Sequence, residues 1–334
     1  MSVSLSFAMT RNPRMDPILD GRCTPVGIDL QVLEGQAPDI FWRQLRFAEF
    51  DVSEMSLSSL LMLIDRGRDE WKALPVFHDR RFWHSYAIVS RKAGITTPAD
   101  LRGKQVGVPD YQQTAALWSR AILSHHFDIQ PQDMVWHMER SPALSHGGAV
   151  GFEPPEGVEL HYVAENRHLG SMLIDGSLDA AIVYEPALLD GHPTTVDRSP
   201  RSLPEDAVHW LFADRNAERR RCFDQLGYVP INHCLVVRAS VLEKHPWVAL
   251  NLYQAFVESK QLNDRTVAKS LDIYAQLGLG GAYADGTPEP NLYPYGFQAN
   301  KRVLEALATH SHEQGLTSRP IAPDEYLAAS TLDL

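Results

Sequence analysis

The residues able to do chemistry in this chain are gathered in a few short phrases. His84 stands in Arg81-Phe-Trp-His-Ser85 and His233 in Pro230-Ile-Asn-His-Cys234. Imidazole titrates near neutrality, so either ring could give or take a proton; either could equally be a packed, hydrogen-bonded strand residue. Glu54, in Ser53-Glu-Met-Ser56, ends a strand before a helix start. A carboxylate there can accept a proton, orient a histidine or bond the loop backbone. Arg11 and Arg14 follow the first strand, and Arg80 and Arg81 precede His84. A guanidinium can hold a carboxylate through two parallel bonds, and Arg11 and Arg81 are the best placed to do so. Ser56, Ser58, Ser85, Tyr111, Gln112 and Thr114 can donate to ligand oxygens, although serine and threonine at helix starts also serve as caps. Trp83 and Trp118 could stack on a ring or pack the core. Glu185 is a weaker strand-end candidate.

These residues need elements to position them. Val3, Leu5 and Phe7 alternate with serines, which predicts a strand over Val3 to Met9. Ile28 to Leu33, Asp51 to Met55, Trp83 to Ser90, Gln105 to Val108, Val158 to Val163, Leu178 to Tyr184 and Ile231 to Arg238 read as further strands. Helical spacing appears between Ala37 and Glu49, over Leu60 to Ile64, over Ala115 to His125 and over Pro246 to Lys260. Strands alternating with helices predict an α/β fold with parallel strands. Gln105 to Val108, stopped by Pro109, runs through a polar loop into the helix that Thr114 opens. Open α/β sheets bind ligands at such strand ends, and the helix N-terminus offers N–H groups to an anion. Ser141 to Gly157 and Gly278 to Gly296 read as surface or cleft-edge loops.

The chain has 334 residues, enough for one large or two medium domains. Its 31 Lys and Arg against 42 Asp and Glu leave a formal charge of −11. No basic stripe interrupts that acidity, so nucleic acid is not an expected partner. No apolar run has the length of a membrane span, so no membrane partner is expected. The cysteines Cys23, Cys222 and Cys234 form no CxxC pair or disulfide framework. The N-terminal residues lack a basic leader and carry too short an apolar run for a signal peptide, so a cytoplasmic protein is expected. No GxSxG, HExxH, Walker loop or GxGxxG fingerprint appears at usable spacing.

Read in order, several phrases form a recognisable set: Phe50-Asp-Val-Ser-Glu-Met-Ser-Leu-Ser-Ser59, Pro75-Val-Phe-His-Asp-Arg-Arg-Phe-Trp-His-Ser85, Asp100-Leu-Arg-Gly-Lys-Gln-Val-Gly-Val-Pro109, Tyr111-Gln-Gln-Thr-Ala-Ala-Leu-Trp118, Leu178-Asp-Ala-Ala-Ile182 and Lys244-His-Pro-Trp-Val248. Together they resemble the 4,5-dihydroxyphthalate decarboxylase family over residues 3 to 260. The resemblance implies a two-lobed type II periplasmic-binding-protein-like fold with a ligand cleft between the lobes. Lobe one would hold residues 1–108 plus 235–334 and lobe two residues 109–234, with crossings near Pro109 and Pro230. Ile231-Asn-His233 departs from the family's Ile-Met-His, and His78 stands where a less basic residue is expected.

What the resemblance implies chemically is ring decarboxylation of a hydroxylated aromatic diacid, giving 3,4-dihydroxybenzoate and carbon dioxide. A hydroxyl para to the departing carboxylate pushes electrons to the ring carbon, which takes a proton. The tasks are proton supply (His84 or His233), assistance to phenol ionisation (Glu54) and holding of the retained carboxylate by Arg11, Arg81 and the hydroxyl and amide donors. The partner is then a small aromatic dicarboxylate. No cofactor is expected in principle, although ligands from distant segments could still converge on a divalent metal. Homo-oligomerisation stays open. The alternative on the same scaffold is a solute-binding protein or cytoplasmic sensor for an aromatic anion.

Overall fold

The computed structural model describes residues 2–183, 194–199, 203–278, 291 and 293–334. Among the described residues, the strands form two sheets. The first has the strand order β2-β1-β3-β11-β4, built from β1 (Val3–Met9), β2 (Ile28–Glu34), β3 (Val52–Ser56), β4 (Trp71–Arg80) and β11 (Ile231–Arg238). The second has the order β10-β5-β9-β6-β7-β8, from β5 (Ile88–Ser90), β6 (Gln105–Val108), β7 (Val135–Met138), β8 (Glu159–Tyr162), β9 (Ala180–Ala181) and β10 (Val208–Trp210). Among the described residues, the helices longer than two turns are α1 (Ala37–Phe47), α2 (Leu57–Asp65), α3 (Thr114–Phe127), α4 (Arg215–Leu226), α5 (Val248–Gln276) and α6 (Lys301–Glu313). None of the described helices is long and apolar enough to cross a membrane.

Sheet one is sandwiched between helices. Ile40, Phe41 and Leu45 of α1 and the apolar run of α2 cover one face with Met55 and Phe77. Val248, Leu252 and Phe256 of α5 cover the other with Leu5, Phe7 and Leu235. Phe7 and Phe256 meet edge to face at 5.9 Å. Burying a phenylalanine this fully contributes about 1.5–3 kcal/mol relative to exposure. β3 lies between β1 and β11 and is buried along its whole length, Glu54 included. A fully buried strand that carries a carboxylate must satisfy that carboxylate internally.

Several expectations are corrected here. The strands are not all parallel: β11 runs antiparallel to β3 and β4, and β5 runs antiparallel to β9 and β10. The first passage between sheets falls between Arg80 and Ile88, so β5 and β6 belong to the second sheet and residues 88–108 do not stay with the first. The return falls between Trp210 and Ile231, the interval that holds Pro230. Trp83–Tyr86 forms a turn of 3-10 helix instead of strand, because Ser85 N donates to Phe82 O and Ala87 N to His84 O. The helix expected over 246–260 continues to Gln276.

Pro75 shapes the centre of the molecule. It has no N–H to give to a ladder. Between Leu74 and Asp79 β4 takes five steps, while β11 takes two between their partners Leu235 and His233. A bulge of this kind re-aims side chains, and here it delivers His78 and Asp79 to the sheet end where β3 and β11 meet.

Candidate active site

Glu54 on β3 is opposite Leu235 on β11, two residues from His233. Strand alternation therefore sets Glu54 and His233 as diagonal neighbours on one face. His78 approaches from β4, and its Nε2 donates to Glu54 Oε2 at 2.8 Å. His233 Nδ1 lies 3.5 Å from the same oxygen. The other oxygen, Oε1, accepts from Thr10 N at 2.8 Å and from the Thr10 hydroxyl. Burial by itself would raise the pKa of Glu54, but the hydrogen bonds and charges of His233 and His78 outweigh it and hold the group well below the usual carboxylate range. Glu54 is thus an ionised carboxylate locked under two imidazoles. His233 is the ring that reaches the open: its side chain is 20% exposed against 2% for His78. The edge of Phe41 packs on it at 4.7 Å.

The three ligand atoms of Glu54, His78 and His233 lie within 4.8 Å of one another, a donor set of the kind that holds a divalent cation. The 2.8 Å separation of His78 from Glu54 is a hydrogen-bond length. Ligands about 2.1 Å from a shared ion sit about 3 Å or more apart, so the arrangement fits a hydrogen-bonded group better than a cation cradle.

This cluster forms the floor of a cleft of about 520 Å³ between the sheets. Sheet-one loops and α1 supply Thr10, Arg11, Arg14, Pro38 and Phe41; the first sheet's exit supplies Asp79, Arg81 and Trp83; the far side supplies Gln113, Thr114, Ala115, Arg140 and His146. Arg14 donates to His78 O at 2.9 Å and lies 3.9 Å over the Tyr293 ring. Arg140 grips Asp197 at 2.7 and 3.1 Å and lies 3.3 Å from His146 Nδ1. His146 Nε2 donates to Pro38 O at 2.8 Å, which joins the two sides of the cleft. Burial pushes the pKa of His146 well down, so that ring is neutral and passes no charge to the cleft.

The expected site residues separate into two groups. Glu54, His233, Arg11, Arg81, Ser56 and Thr114 line the cleft. Arg11 is largely exposed and paired with Asp16 at 3.1 Å and Glu34 at 3.2 Å; Arg81 lies 3.6 Å from Asp79 and over the Trp83 ring. The others do not reach it. Ser58 Oγ donates to Gln112 O at 2.5 Å, and Ser58 N donates to Thr114 Oγ1 at 2.9 Å, so Ser58 and Gln112 tie the two halves together behind the cleft wall. Tyr111 is sealed between Trp136, Phe152 and the Arg120 guanidinium. Ser85 donates to Phe82 O at 2.7 Å and accepts from Arg219. His84 is 1% exposed and bound to Glu218 at 2.8 Å, away from the cleft lining. Trp118 is a core residue whose Nε1 donates to Ile231 O at 2.8 Å. Glu185 lies outside the described residues.

Sequence reasoning did not single out His78, Asp79 or Gln113 for the site. Pro75 inside an apolar run was the available signal for the first two, since a proline there marks a bulge. Gln113 differs from Gln112 only by one step of the chain, and that step decides which of them faces the cleft.

No protein-family model matches the chain. It is 13% identical, with a TM-score of 0.56 over the full length of both chains (100% of each), to the periplasmic aliphatic sulphonate binding protein SsuA from Escherichia coli. The desulfurization enzyme DSZB is 16% identical with a TM-score of 0.53, covering 99% of this chain and 97% of that one. Two sheets with a cleft between them thus define a type II periplasmic-binding-protein-like fold. Within that class the chain is 31% identical over 338 residues to 4,5-dihydroxyphthalate decarboxylase of Comamonas testosteroni, covering 99% of this chain and 98% of the relative. The chain belongs to the 4,5-dihydroxyphthalate decarboxylase family.

Proposed function

We propose that this protein is a carboxy-lyase that removes one carboxylate from 4,5-dihydroxyphthalate, leaving 3,4-dihydroxybenzoate and carbon dioxide. One observation carries the reading beyond the family relation: a buried, ionised Glu54 holds a cleft-facing histidine, His233. A carboxylate behind an imidazole fixes its tautomer and stabilises its protonated form. Nδ1–H of His233 then faces Glu54, and Nε2 carries the proton that moves.

The steps balance as follows. The hydroxyl para to the departing carboxylate gives its proton to Asp79, whose Oδ2 has no hydrogen-bond partner and which lines the cleft. The phenolate pushes an electron pair to the ring carbon, and that carbon takes the proton from His233 Nε2. The bond to the carboxylate breaks, carbon dioxide leaves, and its electron pair restores the aromatic ring. Asp79 returns its proton to the oxygen, and His233 is recharged from solvent, so the reaction consumes one proton overall. Pro38 and Phe41 give the cleft an apolar wall, against which a charged carboxylate is less well solvated than neutral carbon dioxide.

The test is incubation of purified protein with 4,5-dihydroxyphthalate and chromatography for 3,4-dihydroxybenzoate. Product over many turnovers is the expected result. Tight binding without product would replace this reading by solute binding, and neither binding nor product would overturn the substrate class.

A further inference from the structure

We propose that the N-terminus of α3 is the subsite for the carboxylate that stays on the ring, and that Gln113 is its specificity-determining residue. The proposal rests on the decarboxylase reading. 4,5-Dihydroxyphthalate has twofold symmetry, so its two carboxylates are equivalent in solution. Only the protein can decide which one stays.

The donors for that task lie on the wall supplied by the second sheet. Gln113, Thr114 and Ala115 line the cleft where α3 begins. The first N–H groups of a helix have no intrahelical acceptor, and the end they form favours an anion. Gln113 sits at the capping position yet its side chain makes no cap bond. The residue is 6% exposed, and its Nε2 is buried with no hydrogen-bond partner. An unpaired buried amide is costly, and a carboxylate oxygen in the cleft would supply what it lacks.

Two neighbours extend the same wall. Ser56 Oγ and Thr114 Oγ1 are 2.8 Å apart, and both residues line the cleft. Their two hydroxyls hold two hydrogens, of which the contact between them uses one. Thr114 Oγ1 already accepts from Ser58 N, so the second hydrogen remains for a ligand. Trp83, in the 3-10 turn that packs against α3, also lines the cleft and has a buried Nε1 without an acceptor. Amide, hydroxyl, indole and helix end are all donors, as a retained carboxylate requires.

Gln113→Met keeps the volume and removes the donor. Phthalate and benzoate serve as probes, because neither has the hydroxyl that drives decarboxylation. Wild-type protein is expected to bind phthalate more tightly than benzoate. In Gln113→Met that preference should fall by about tenfold, and KM for 4,5-dihydroxyphthalate should rise by about as much, with kcat within about threefold. Ser56→Ala, at the end of β3 against Thr114, should raise KM by about threefold to tenfold. If both variants keep the wild-type KM and the wild-type preference for phthalate, the proposal is overturned. The two readings fail separately: a wild-type protein that makes no product but loses its phthalate preference in Gln113→Met keeps the diacid subsite and loses the decarboxylase reading.

Discussion

Two buried histidine–glutamate contacts among the described residues, His78–Glu54 and His84–Glu218, share a length of 2.8 Å and differ in nearly everything else. At the cleft, Glu54 is served by Thr10, His78 and His233, and His233 lines the cleft. At the second pair, Glu218 takes two bonds from Arg221 and one from His84, and His84 is walled in by the rings of Phe82 and Phe212. Burial lowers the pKa of His84, which keeps it neutral. The second pair joins the two segments that pass between the sheets, the turn at 83–86 and α4. The same contact at the same distance is part of the proposed proton-transfer group in one place, where His233 joins it at 3.5 Å, and a staple in the other. Access to the cleft makes the difference.

The sharpest way to break this comparison is His233→Gln, which should lower kcat by about a thousandfold without altering the melting temperature by more than a few degrees. Glu54→Gln comes next. It leaves the ring in place but removes the charge behind it, and kcat should fall by about a hundredfold, read as initial rates at saturating substrate.

His84→Gln should do the opposite. Turnover per folded molecule should stay within about threefold, while stability falls by about 1–3 kcal/mol in urea titration. Acid should report on the same pair. Glu218 is held down at about 2 from 4.5: burial would raise it, but the bonds from Arg221 and His84 outweigh that. Unfolding therefore takes up a proton, so the stability this pair contributes is complete above about pH 4.5 and is lost as the pH falls towards 2. The lowered pKa of His84 has the same sign at higher pH, its contribution being lost as the pH falls through about 6.5. Glu218→Gln should flatten the acid limb of the stability curve. The smallest effect belongs to chelation. Protein treated with a chelator should keep its rate, and a rate restored only by added metal would turn the Glu54 cluster from a proton group into a cation site.

Much of this fold was legible in the chain because alternation and helical spacing are local signals. The strand at Val3–Met9, the short β6 before Pro109 and the helix opening at Thr114 follow from them directly. What local signals do not carry is the partner across the sheet. His84 and His233 are each set in a phrase beside aromatic or apolar residues, and nothing near either in sequence says that α4 will bring Glu218 to the first. The strand expected at Trp83 gives way to a turn because Ser85 bonds back to Phe82 within the same phrase, and only the bond from Arg219 of α4 to Ser85 comes from far along the chain. His78 is the converse case. It enters the site through a bulge that Pro75 makes necessary, and only the pairing register of β4 with β11 shows where the bulge ends.

Chemical rescue tests the central claim most directly. His233→Ala and His84→Ala are assayed with 4,5-dihydroxyphthalate across a series of imidazole concentrations. The account predicts that His233→Ala is inactive and regains product formation as imidazole enters the vacated part of the cleft, whereas His84→Ala needs no rescue. Full activity in His233→Ala without imidazole, or rescue confined to His84→Ala, would contradict it.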